Sequence, residues 1–129
     1  MNEPDSPAVR EVLLRSTRRF SSALCLAEVA AVLHRHVREG GLSRKQALAL
    51  HDLFLDDIEN QQWVLIPVSE SLLRKVGVLV RKLEAGVFLR AADAIHLVSA
   101  LDAGLAEIWS NDRHLLRAAV SFGLTGRSV

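Results

Sequence analysis

Phe88-Leu89-Arg90-Ala91-Ala92-Asp93-Ala94-Ile95-His96-Leu97-Val98-Ser99-Ala100-Leu101 is the stretch that decides how this chain folds. From Ala91 onward it is apolar on nearly every side at helical spacing, which predicts a buried helix. Asp93 is the one formal charge between Arg90 and Asp102. An ionised carboxylate in that setting is costly unless it is paired, hydrogen-bonded or bound to a metal. Two roles meet this demand. Asp93 can cap the helix by accepting first-turn backbone N–H groups, or it can open into a cleft and hold a cation.

Outward from this stretch, helices and short strands alternate. Upstream, Ser69 predicts the cap of a helix to about Glu84, stopped by Ala85-Gly86. Before it, Trp63-Val64-Leu65-Ile66-Pro67-Val68 is an apolar run of strand length, with the quality of a buried parallel strand. Ala23 to Glu39 and Ser43 to about Glu59 have helical spacing, and Gly40-Gly41 separates them. Arg18 to Ser22 suits a short edge of extended chain. Ser6-Pro7 is a cap and first-turn pair for a helix to about Thr17. Downstream, Ala103-Gly104 closes the central helix, and Leu105 to Trp109 is a strand candidate. Ser110-Asn111-Asp112 turns into a helix from Arg113 to about Phe122, and Leu124 to Val129 can form a last strand. This alternation implies an α/β sandwich around a mainly parallel sheet.

Length and composition narrow the class. A chain of 129 residues predicts one domain over 1–129 with its own core. The single Cys25 excludes an intramolecular disulfide and fits a reducing, cytoplasmic setting. No charged-then-apolar leader opens the sequence, and no apolar run reaches membrane-spanning length. A net charge of +1 names no partner, so any nucleic-acid site must come from a local patch.

Two further acids stand out. Glu28 is the only charge in Ala23 to Leu33, sharing a helix face with Leu24, Ala31 and Val32. It is either the start of a polar stripe or a member of a site. Asp112 follows a strand candidate directly, where ligands gather in open α/β sheets. It is also one of three residues, with Ser110 and Asn111, able to cap the last helix. Glu28, Asp93 and Asp112 together suggest a hard-cation site, since carboxylate oxygens suit Mg²⁺ or Mn²⁺. Such an ion can activate water and stabilise charge on a phosphodiester. The histidines make no convincing metal set, because His34 and His36 point to different faces of one helix. His96 and His114 adjoin the acidic motifs and suit ordinary hydrogen-bonding roles. Asp52, Asp56, Asp57 and Glu59 read as a solvated face, as do Arg74, Lys75, Arg81 and Lys82, although that basic stripe can also meet phosphate.

Ser21-Ser22-Ala23-Leu24-Cys25-Leu26-Ala27-Glu28-Val29, Leu89-Arg90-Ala91-Ala92-Asp93-Ala94-Ile95-His96-Leu97 and Ser110-Asn111-Asp112-Arg113-His114-Leu115 resemble the ordered motifs of PIN-domain proteins. Among these the chain looks most like the VapC-type toxins of toxin–antitoxin pairs. The resemblance implies a three-layer α/β/α fold and a metal-dependent endoribonuclease that acts on RNA. It also implies a homodimer silenced by a cognate antitoxin protein. Glu28, Asp93 and Asp112 match the family's second, third and fourth acidic positions, the implied catalytic and Mg²⁺ or Mn²⁺ ligands. Ser110 matches a small hydroxyl position that helps order the site.

The family opens with a hydrophobic strand carrying an Asp, whereas Asn2 to Val9 resembles the segment after that strand, and Asp5 is a poor substitute. The expectation is a chain lacking that strand and its Asp, poorly stable alone and weak as a ribonuclease. Two competing readings follow from the residues. One is an impaired PIN-like protein that binds antitoxin, RNA or itself, and the other is a structural α/β domain whose three acids are caps. The apolar content of Ala23–Val37 and Ser43–Leu55 predicts an oligomer or a partner-bound form.

Overall fold

Leu97 and Val98 lie at the centre of the molecule with no solvent exposure at all. The computed structural model describes residues 19–128. The element order is β1 (Arg19–Ser22), α1 (Cys25–Arg38), α2 (Arg44–Glu59), β2 (Trp63–Ile66), α3 (Glu70–Val80), α4 (Ala91–Asp102), β3 (Glu107–Trp109), α5 (Arg113–Ser121) and β4 (Thr125–Arg127). The fold is α/β, and the described residues form five helices and short parallel sheets. The helix expected over Ser6–Thr17, and Asp5, lie outside the described residues.

The described strands pair only in parallel, as helical crossovers require. β1 runs beside β2, Arg19 opposite Trp63 and Ser22 opposite Ile66, with the α1–α2 hairpin as the crossover. β3 runs beside β4, Glu107 opposite Thr125, with α5 as the crossover. Where a single mainly parallel sheet was expected, the described strands form two separate two-stranded ladders. Each strand is three or four residues long. The apolar run expected through Val68 leaves the ladder at Ile66, because Pro67 has no N–H to donate. Its residues are half-buried rather than buried, so β2 is not a central strand among those described.

Helix α4 joins the two halves. It packs on β1, on β3 and along α3. Its buried Leu97, Val98 and Ala100 meet Leu72 of α3 and Leu115, Ala118 and Ala119 of α5. Burying such side chains supplies about 25 cal/mol per Å² of apolar surface. On the far side of α5, Gly126 lies so close that an added Cβ would stand 2.9 Å from Leu116 Cδ2 and 3.2 Å from the Leu116 carbonyl oxygen. Only glycine lets β4 approach the helix this tightly.

Helix ends follow local chemistry. Ser43 and Gln46 form a reciprocal capping box at α2, and Ser69 Oγ accepts the Leu72 N–H at 3.1 Å at α3. The helix expected from Ala23 begins at Cys25, because the Ala23 N–H is committed to the Ile66 carbonyl at 2.8 Å and so extends the ladder. Helix α3 ends at Val80, earlier than the Ala85-Gly86 stop implied. Lys82 and Leu83 donate three residues back, to Leu79 and Val80, which tightens the chain and turns Leu83 onto the core.

Candidate active site

Asp93 does not cap its helix. Arg90 holds the N-cap position of α4 in an extended conformation, with no side-chain bond to the first turn. Asp93, the third residue of that turn, faces the Arg90 side chain, its Oδ2 3.4 Å from Nε. The same guanidinium reaches across to the start of α5, where Nη2 donates to Asp112 Oδ2 at 2.8 Å. Two carboxylates from different elements thus converge on one cation. The Asp93 side chain is only 16 % exposed and Arg90 is 61 % exposed, so the acids lie inside and the guanidinium covers them.

Asp112 divides its two oxygens between two jobs. Oδ1 caps α5, accepting the backbone N–H of His114 at 2.8 Å and of Leu115 at 3.3 Å. Oδ2 holds Arg90. Burial pushes this carboxyl up, but the two backbone N–H groups and the guanidinium outweigh it, and the group titrates below its ordinary value. Ser110, itself buried, accepts the Asp112 backbone N–H at 3.0 Å and pins the turn that aims the carboxylate. Asp112 therefore both caps its helix and pairs with Arg90, whereas Asp93 pairs with Arg90 and caps nothing.

Glu28 stands on α1 with its side chain 31 % exposed and hydrogen-bonds His96 through Oε1 and Nε2. His96 is three residues beyond Asp93 on α4, on the same helix face one turn along. The three acids form a connected row. Asp112 and Asp93 share Arg90, and Glu28 meets the same face of α4 through His96. Among the described residues no three His, Cys, Asp or Glu side chains are close enough to hold one ion together.

The donor chemistry nevertheless fits a hard divalent cation. Mg²⁺ is commonly held by one or two carboxylates, its remaining positions going to water and substrate phosphate. Asp93 and Asp112 already direct one oxygen each at a positive charge, and the Arg90 guanidinium stands where a cation is wanted. Arg90 was not singled out from the sequence as a site residue. Its signal was its place three residues ahead of Asp93, the spacing of an ion pair on one helix face. Elsewhere, Arg74 pairs with Glu70 at 2.9 Å and Lys75 with Asp102, as a solvated face should. Cys25 is buried, and burial pushes its thiol up, which suits an inert core residue.

Among the described residues no helix is long and apolar enough to cross a membrane. No curated protein and no solved structure matches the chain. The family profile described as PIN domain matches residues 2–121, a span that takes in Glu28, Asp93, Ser110 and Asp112. On that match the chain belongs to the PIN domain family, whose members are commonly nucleases and generally use divalent metal ions.

Proposed function

We infer that this chain is a metal-dependent endoribonuclease of the VapC-type toxin class, which hydrolyses RNA phosphodiester bonds and is silenced by a cognate antitoxin protein. The observation that carries this reading is the convergence of Asp93 and Asp112 on one cation at the mouth of a buried helix. Asp93 and Asp112 would hold Mg²⁺ or Mn²⁺, with Glu28 of α1 the further carboxylate, meeting α4 through His96 one turn beyond Asp93. When bound, such an ion supplies Lewis-acid stabilisation of phosphoryl charge and activates water. Ser110 keeps Asp112 aimed. Glu28 fixes the ring of His96 one turn beyond Asp93. Arg90 carries a planar fork that matches phosphate oxygens, and its exposure lets it pass from the carboxylates to the RNA backbone.

The purified chain should cleave single-stranded RNA in Mg²⁺ or Mn²⁺ and lose that activity in EDTA. Cleavage that survives EDTA would overturn the metal-dependent reading. A second reading, an impaired PIN-like binding protein, is favoured by Arg90 itself, which neutralises both acids without any ion. RNA bound but uncut in either metal would select it.

The partner class rests on α2. This helix buries none of its residues, and Leu48, Leu50 and Leu53 are 59 %, 44 % and 61 % exposed. We assign this exposed leucine surface to a second copy of the chain or to the antitoxin. Light scattering should give a dimer for the isolated chain or a heteromeric complex when the antitoxin is present. A monomer at high concentration with no antitoxin bound would remove that assignment.

A further inference from the structure

We propose that Phe88, His114 and Arg117 form a subsite for one unpaired nucleobase beside the carboxylates; the proposal rests on the ribonuclease reading above. Phe88 is a large apolar side chain left 54 % exposed, two residues before the arginine that holds Asp112. Its ring lies 4.3 Å from the His114 ring, tilted by 42°. His114 follows Asp112 by two residues and donates its backbone N–H to that carboxylate at 2.8 Å, so ring and carboxylate belong to one helical turn. Arg117 lies one turn further on and is exposed. With Gly86 and Val87 these three line a cleft of about 300 Å³. Ligand clefts run from about 300 to 1,000 Å³, so this one suits a group the size of a single ring system.

The chemistry selects the occupant. Every base has a π face that stacks on an aromatic ring whatever its sequence, and a guanidinium nearby adds a contact to the base or its phosphate. Single-stranded RNA is recognised in this way, by unstacked bases laid on aromatic side chains and arginine planes. A base seated on Phe88 would lie next to the phosphate presented to Asp93 and Asp112. The subsite would therefore set where along an RNA strand the cut falls.

The test uses the full chain carrying Asp93→Asn, so that bound RNA stays intact. Fluorescence anisotropy reads binding of a single-stranded RNA oligonucleotide and of an abasic oligonucleotide with the same sugar-phosphate backbone. Phe88→Leu should weaken binding of the RNA about tenfold or more, as loss of one base–aromatic stack does, and leave the abasic oligonucleotide unaffected. Phe88→Trp should restore RNA binding, with the new indole fluorescence changing on titration. Phe88 is exposed, so neither variant threatens the fold. RNA binding unchanged by Phe88→Leu, in a chain whose parent cleaves RNA, would overturn the subsite alone. Equal weakening for both oligonucleotides would overturn base stacking in favour of a backbone contact. A parent chain that neither binds nor cleaves RNA would overturn the ribonuclease reading and the subsite with it.

Discussion

Asp93→Asn should reduce RNA cleavage by at least about 10–100-fold, the loss seen even when a group that only supports a metal ligand is removed. The substitution keeps the shape of the side chain and removes the charge that faces Arg90. Stability should change little, because Asp93 caps nothing and its ion pair has a largely exposed partner at 3.4 Å. Pairs of that kind contribute at most about 1 kcal/mol. Asp112→Asn provides a control, since Asn caps a helix about as well as Asp. It should lose activity to a similar degree and keep the fold. Asp112→Ala removes the cap as well and should cost about 1 kcal/mol of stability. Single-turnover cleavage rates and urea melts on the three variants separate these effects. Cleavage by Asp93→Asn at the parental rate would show that the acid does not take part in the chemistry.

Much of this arrangement is legible in the residues, and the parts that are not share a physical cause. The burial of Ala94, Leu97, Val98 and Ala100 follows from a helix with no polar stripe. The Ser43 and Ser69 caps follow from a hydroxyl that accepts a backbone N–H of the first turn. What no local pattern carries is the choice between competing partners. Asp93 and Asp112 are both good capping residues, and the sequence allows either to cap. The fold decides the matter by bringing Arg90 within reach of both, a contact spanning 22 residues between Arg90 and Asp112. The Glu28–His96 contact spans 68 residues. The imidazole that meets Glu28 lies on another helix, which the pattern of its own helix does not specify. The division of the strands into two ladders depends on pairing at a distance, which apolar runs of three or four residues do not specify.

Leu97→Ala should be the most damaging single change to the fold. Leu97 has no solvent exposure and belongs to the core cluster that joins α3, α4, α5 and the approach to β4. Truncating a fully buried leucine removes its transfer energy and leaves a cavity, together about 2–5 kcal/mol. Domains of this size are stable by only about 5–15 kcal/mol, so the loss is a large fraction of the total. The position makes collapse into the hole difficult. Its core neighbours Ala118 and Ala119 have no side-chain reach to fill the space, and Val98 is branched at Cβ and stiff. Leu97→Met, which conserves volume, should cost under about 1.5 kcal/mol. Val120→Ala, at an exposed position near the end of α5, should change stability by no more than about 0.5 kcal/mol. Urea denaturation that places Leu97→Ala and Val120→Ala at the same midpoint would remove α4 from the centre of the core. Asp93 and His96 lie on this same helix, one residue short of Leu97 in the case of His96. Its packing therefore holds the geometry of the site as well as the stability of the domain. Leu97→Ala should accordingly lose cleavage at temperatures below its own melting transition, where Val120→Ala keeps it.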